Sequence, residues 1–417
     1  MNDIKIKPKN VFLQIIIYQK QIRQNMKFSS FFDSPQFGDE KAFIGAAERS
    51  SIYNAITFFE DDSSEPVLEE YDFAIIGVPE TRNAVNNRSA SLAPDEIRRQ
   101  FYQLYCWDKE VRILDLGNLK IGDTADDTYE ILSEILSVLI EAGVMPLILG
   151  GSNDLAYANY LAYSKLEQVV NIVAVDSRFD IGDEKSPIAA NAYLNKIIMN
   201  KPNFLLNYSN VGYQTYMNSP EERALMEELF LDTYRVGMMR YDLNDVEPIM
   251  RGAEMVSLDI SAVRRPDAPG NPNASSNGFY GEEICQVARF AGLNDKLTSF
   301  GIYEYDPMMD YANQTSQLIA HILWYLVEGW TNRVGDTLFK NKNDYVRYSV
   351  PVSQAVDELV FLCSKKTRRW WMLVPIISMN SDIKQKYYLP CSEKDYQAAC
   401  KDKIPERWWR TYNKLNK

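Results

Sequence analysis

Histidine is nearly missing. His321 is the only one in 417 residues, so a metal centre built on several imidazoles cannot form within one copy of the chain. The five cysteines (Cys106, Cys285, Cys363, Cys391, Cys400) make no CxxC pair and are odd in number. That excludes a zinc ribbon and argues against a disulfide framework; free thiols in a reducing, cytoplasmic setting are expected. No GxSxG elbow occurs, and Gly150-Gly151 lacks the further glycines and the lysine of a phosphate loop. No apolar run approaches the ~20 residues of a membrane helix. Positive charge is also short: the net charge of −12 leaves no general basic face for nucleic acid or an anionic membrane. Residues 5–9 are basic and 11–18 apolar, a faint imitation of a signal peptide. The apolar core is short, however, and polar residues 19–24 follow in place of a small-residue cleavage site. Initiation at Met26 instead of Met1 would remove that stretch altogether.

What is present is organised around residues 144–180. Two apolar runs, 144–149 and 169–175, end in polar clusters and flank a helix-like segment. This is the pattern of a βαβ unit in a parallel sheet, whose strands are buried on both faces. Ligands bind at the carboxyl ends of such strands. Gly150–Asp154 and Asp176–Asp180 are therefore expected side by side at a site edge.

Taken in order, residues 1–66 carry no readable chemistry, and 61–66 (DDSSEP) read as a linker. Residues 71–78 predict the first buried strand, and Pro94 with Asp95 and Glu96 a helix start. Strand, helix and strand follow at 111–116, 126–142 and 144–149. Further strands are predicted at 203–208 with 211–213, at 234–238, 254–260 and 297–305, and helices at 221–230, 281–291 and 313–328. Residues 264–278 (RRPDAPGNPNASSNG) form a long loop of the kind that is usually functional. The alternation predicts a three-layer, doubly wound, mostly parallel α/β domain over 67–332. An N-terminal extension (1–66) and a Trp-rich C-terminal extension (333–417) flank it. In that last part Trp370-Trp371 and Trp408-Trp409 are adjacent pairs, whose members diverge on a strand or a helix. One of each pair is expected to pack on the main domain, on a second copy in a homo-oligomer, or on a protein partner.

The motif succession resembles the ureohydrolase superfamily of arginase, agmatinase and formimidoylglutamase. Residues 71–79 are similar to its opening strand and GxP turn, Ala93–Arg98 to GPxxIR, and 149–154 to LGGDHS. Residues 176–180 stand at its DAHxD, 257–261 at SxDxD, 265–270 at DPxxAPG and 304–310 at EVNPxxD. The resemblance implies an arginase-like fold and, in the family, two bridged manganese ions that activate a water. Carried over residue by residue, the metal-ligand aspartates Asp176, Asp180 and Asp259 are kept. The histidines become Asn153 and Arg178, and the last aspartate becomes Ser261. Ser152 and Arg265 replace two further aspartates. Glu304 stands where the family contacts the cationic group of the substrate.

These exchanges imply a degenerate site. Arginine cannot coordinate a cation, so Arg178 is expected to replace metal by bidentate ion pairs to the aspartates, with Ser261 a second metal-replacing residue. At most one Mn2+ or similar divalent ion remains, on Asp176, Asp180 and Asp259 with Asn153 as a weak oxygen ligand. A binding or scaffold protein that has lost two-metal hydrolysis is the first reading. A single-metal hydrolase of guanidino or formimidoylglutamate-type substrates is the alternative, and a non-hydrolysing small-molecule sensor is a third. Glu304 reads equally as a substrate contact or as an ion-pair partner of Arg264 or Arg265. His321, among apolar neighbours at helical spacing, reads as a packed histidine.

Overall fold

The computed structural model describes residues 27–35, 50–59, 65–182, 187–336, 339, 341–353, 356–376 and 385–416. The signal-like stretch, Met26 and most of the 61–66 linker lie outside them. Two short strands, β1 (Phe32–Asp33) and β2 (Ile56–Phe58), precede the regular alternation of β3 (Phe73–Val78), α1 (Ala93–Phe101), β4 (Ile113–Leu119), α2 (Ala125–Glu141), β5 (Met145–Gly150), α3 (Leu155–Lys165) and β6 (Val170–Val175). Then come α4 (Leu194–Met199), β7 (Leu205–Tyr213), α5 (Pro220–Glu228), β8 (Asp232–Arg235), α6 (Val236–Tyr241), α7 (Glu247–Met250), β9 (Met255–Asp259), α8 (Gly281–Gly292), β10 (Ser299–Tyr303) and α9 (Gln314–Thr331).

The helices form where sequence chemistry directs. In α2, Thr124 accepts from the Asp127 backbone while the Asp127 carboxylate accepts from the Thr124 N–H, a complete capping box. Leu132, Ile135, Leu136 and Leu139 then make one fully buried stripe, worth about 1.5–3 kcal/mol per side chain. Gly143, at φ +80°, ends the element in a conformation only glycine adopts freely.

The strands assemble in the order β1-β4-β3-β5-β10-β9-β6-β7-β8, with β2 also on β4. All pairs are parallel except β1 with β4. Side chains alternate between two cores: Phe73 and Ile75 enter one with residues of α1, α8 and α9. Ala74, Ile76 and Val78 enter the other with α2 and α3. The described parts of the N-terminal stretch thus join the main sheet. β2 covers the first half of the outer edge of β4 and β1 its end, which shields an otherwise open edge. The region expected as a strand at 234–238 divides instead, since the chain leaves β8 at Arg235 and coils into α6. His321 is exposed on the outer face of α9, not packed; the buried stripe of that helix runs through Leu318, Ile319, Ile322, Leu323 and Leu326. No helix among the described residues is long and apolar enough to cross a membrane.

The C-terminal part forms its own antiparallel sheet, β11 (Tyr345–Pro351), β12 (Glu358–Ser364), β13 (Trp370–Ile376) and β14 (Gln385–Cys391), followed by α10 (Glu393–Ala399) and α11 (Glu406–Leu415). Trp370 and Trp371 are both buried, because both faces of β13 are covered. Trp370 stacks on Tyr348 and Tyr396 inside the module. Trp371 faces the main domain, where the Arg251 guanidinium lies 4.3 Å from its ring centre. Arg251 is itself fully buried and donates to the carbonyls of Trp370 (2.9 Å) and Cys391 (3.0 Å) while pairing with Glu247 (3.0 Å). The module is therefore riveted to α7. Of the second pair, Trp408 is buried and Trp409 is 43% exposed.

Candidate functional site

Consecutive strands β5 and β6 lie apart in the sheet, with the late strands β10 and β9 inserted between them. The four carboxyl ends therefore open onto one crevice. Val175 pairs with Leu258, so Asp176 and Asp259 leave the sheet abreast. On the other side the Glu304 N–H donates to the Gly151 carbonyl at 2.9 Å. Gly151 is required by close approach: a Cβ there would lie 2.1 Å from the Glu80 carbonyl oxygen.

Carboxylate oxygens of Asp176, Asp180 and Asp259 come within 4.8 Å of one another, all three residues buried. Asp180 reaches back into the cluster from a left-handed backbone, φ +50°, which costs a non-glycine residue about 1–3 kcal/mol. Asn153 Nδ2 donates to Asp176 Oδ2 at 3.2 Å and to Asp180 Oδ2 at 2.9 Å. Ser261 contributes its backbone N–H to Asp259 Oδ1 at 2.6 Å, and its hydroxyl lies 3.4 Å from that of Ser177. Burial, and then the neighbouring carboxylates, push Asp176 far above the usual range. Burial also raises Asp180 to about 6. Asp259 goes to about 7 through burial and the charge of Asp180. The cluster is short of positive charge.

Arg178 eases Asp180 and Asp259 only through its charge at a distance and enters no ion pair with them. Its backbone N–H donates to Asp176 Oδ1 at 2.8 Å, closing a turn that sends the side chain the other way. The guanidinium is exposed and donates to the Met217 carbonyl at 3.2 Å. The expected bidentate ion pairs to the aspartates are not formed. Solvating a guanidinium at the rim avoids the several kcal/mol that desolvating it among buried acids would cost.

Glu304 is likewise no partner of Arg264 or Arg265. Arg264 pairs with Asp267 at 2.8 Å, and Arg265 donates to the carbonyls of Pro272 and Ala274. Glu304, at φ +68°, is gripped by asparagines from three loops. Asn153 N donates to its Oε1 at 2.9 Å and Asn87 Nδ2 to its Oε2 at 2.7 Å, while Asn271 Nδ2 donates to its carbonyl at 2.8 Å. Burial and the nearby Asp259 charge raise the Glu304 carboxyl well above its ordinary value. Sequence reasoning missed Asn87 and Asn271, which no local spacing connects to Glu304. Asp154, expected at the site edge, is fully buried instead and accepts a hydrogen bond from Tyr129.

A model of the arginase family matches residues 71–328. The chain belongs to the arginase family. Formimidoylglutamase of Bacillus subtilis (strain 168) is 22% identical to this arginase-family chain over 279 residues, spanning 61% of it and 86% of the relative. The Streptococcus gordonii formimidoylglutamase is 25% identical over 292 residues, 65% and 88% of the two chains. The crystal structure of the B. subtilis protein shares the fold at a TM-score of 0.61 and 18% identity, covering 68% of this chain and 92% of that one. Trypanosoma cruzi formiminoglutamase, solved with Mn2+, gives 0.60 at 18% identity over 65% and 97%. The family match ends before β11, so the C-terminal module lies outside it.

The donor set of this arginase-family chain fits one hard cation. Ligand oxygens on opposite sides of such an ion stand about 4–5 Å apart, the spread of the three aspartates. Asn153 could join only by a half-turn of its amide, which would bring Oδ1, now 3.4 Å from the Ser257 hydroxyl, onto the ion. Among the described residues no ligand set for a second ion is found. Its private ligands would have to come from position 178, whose side chain has left, and from position 261, which offers a hydroxyl in place of a carboxylate. Among the described residues these three aspartates are the one such group of metal-ligating side chains.

Proposed function

We propose that this arginase-family chain binds a ligand in the inherited crevice without two-metal hydrolysis, holding at most one divalent cation on Asp176, Asp180 and Asp259. The observation that carries the reading is the donor count. Three carboxylates converge, and no further metal-ligating group among the described residues joins them to complete a bridged pair of ions. When bound, a single divalent ion would offset most of the cluster's negative charge and polarise a coordinated ligand atom. The protein's own residues do the rest. Asn153 and the Ser261 N–H orient the acids, and the asparagine clamp holds Glu304 at the neighbouring strand end.

A second reading, a single-metal hydrolase of amidine, guanidino or formimidoylglutamate-type substrates, draws support from Arg178. Its guanidinium donates to the Met217 carbonyl and not to the acids, so it leaves their oxygens free for a cation, although its charge still acts on Asp180 and Asp259 from the rim. The formimidoylglutamases similar to this chain, one of them solved with Mn2+, point the same way. Metal content of protein purified with manganese, together with ammonia, formamide or urea release from a guanidino and formimino panel, separates the readings. Binding of one ion or none without turnover supports the first. Manganese-dependent turnover that Asp180→Ala abolishes overturns it, and two bound ions per chain would overturn both.

A further inference from the structure

The turn after β6 and the loop after β7 are stitched into one platform beside the aspartates. Asn218 Oδ1 accepts from Phe179 N at 2.8 Å, and Asn218 Nδ2 donates to the carbonyls of Ser177 (3.1 Å) and Gln214 (2.9 Å). Two guanidiniums are anchored on it. Arg178 Nη1 donates to the Met217 carbonyl at 3.2 Å. Arg223 Nη1 donates to the carbonyls of Thr215 and Asn218, both at 2.7 Å. Met217 and Asn218 are consecutive, so the two cations are tethered to neighbouring carbonyls.

Carbonyls fix a guanidinium but do not neutralise it. Three other arginines near the carboxyl edge have acids, Arg82 with Glu80, Arg240 with Glu283 and Arg264 with Asp267, while Arg265 is held by carbonyls alone. Arg178 and Arg223 form no ion pair among the described residues, although the chain carries 57 acids against 45 bases. The acid next to Arg223, Glu222, is spent on the Ser219 N–H at 2.6 Å in the cap of α5, and Asp176 and Asp180, which flank Arg178, face into the cluster without an ion pair to that arginine. Two like charges anchored on one loop without a direct ion pair repel, and an anion between them relieves that repulsion; a planar fork fits a carboxylate with two parallel bonds.

Building on the ligand-binding reading above, we propose that Arg178 and Arg223 form a carboxylate-recognition site at the rim of the aspartate crevice. The ligand is then bipolar. Its amidine or guanidino head faces the aspartates and Glu304, and a carboxylate at the other end of a short chain lies on the two arginines. An amine-ended guanidine is excluded by the same charges. Residue 178 thereby changes task, from the ligand expected of the family position to the selector of the ligand's far end.

Calorimetric titration of the full chain with manganese, at low ionic strength, tests this with two matched pairs. Glutarate and its neutral diamide probe the arginines without any head group. 4-Guanidinobutyrate and n-butylguanidine probe the combination. Glutarate is expected to bind wild type at least about tenfold more tightly than the diamide, the worth of one charged hydrogen-bonded pair. Arg178→Met and Arg223→Met should each bring that ratio within about twofold. The preference for 4-guanidinobutyrate over n-butylguanidine should collapse in parallel, with Arg178→Lys restoring part of it. No glutarate preference in wild type, or a preference that survives both substitutions, overturns the proposal. A glutarate preference that depends on the arginines while n-butylguanidine fails to bind wild type would leave the carboxylate site standing and refute the head-group reading instead.

Discussion

Removing the cation should make the aspartate cluster a measurable liability, with a pH signature whose sign follows from the shifts. Asp180 rises from 3.8 to about 6 and Asp259 from 3.8 to about 7, both chiefly through burial. The folded state therefore holds these protons more tightly than the unfolded chain. Stability without metal is highest below about pH 4 as far as these groups are concerned. It is lost as pH rises through about 4–7, then levels. At about 1.4 kcal/mol per unit, the steeper group alone is worth on the order of 4 kcal/mol; the two are coupled and do not add. A divalent ion competes with those protons, so manganese should hardly stabilise the fold at pH 5 and should stabilise it by several degrees at pH 7.5. The assay is thermal unfolding from pH 4.5 to 8, with chelator and with manganese, for wild type and Asp259→Asn. The chelated wild type should lose stability relative to Asp259→Asn across the window. A parallel course of the two proteins, or a manganese effect independent of pH, would refute the reasoning.

Other expectations follow from the same geometry. Arg251→Ala strands the carbonyls of Trp370 and Cys391 and opens a cavity beneath Trp371; a loss of about 3–5 kcal/mol is expected in denaturant unfolding. A loss below about 1 kcal/mol would mean the C-terminal module does not depend on this rivet. Tyr129→Phe removes a hydrogen bond from Asp154, whose other oxygen has no partner among the described residues, and should cost about 1–3 kcal/mol. Asn153→His trades two hydrogen bonds for an imidazole ligand. The chelated protein should melt lower and manganese should bind at least about tenfold more tightly; unchanged affinity in competition titration would place the ion elsewhere. Asn87→Ala should weaken guanidino-ligand binding by releasing Glu304, with unaltered affinity counting against the clamp.

Strands buried on both faces are the part of this molecule most readable from composition alone. Those of β3, β5, β6 and β9 were legible because apolar runs of that length between helices admit little else. β1 and β2 were not, since two or three residues carry no period and owe their conformation to the edge of β4. The apolar look of residues 234–238 concealed a change of element at Arg235, because residues in both β8 and α6 pack inward. Trp370 and Trp371 defied one-sided strand logic because a second layer, set by Arg251, covers the other face. At the site, motif position alone brought Asp176, Asp180, Asp259 and Asn153 together. It could not tell which way Arg178 points; that depends on a turn closed by its own backbone N–H. Asn87 lies 217 residues from Glu304, beyond the reach of any local pattern.

The grip on Glu304 has a consequence for how such a crevice changes over generations. Asn87, Asn153 and Asn271 come from three separate connections, those after β3, β5 and β9, and all meet at the residue after β10. None of these loops can be lengthened or exchanged without releasing a bond that the others rely on. The four segments are a keystoned arch. A relative's loop grafted singly into this protein should unsettle all four strand ends, whereas the set transferred together should carry its ligand preference with it.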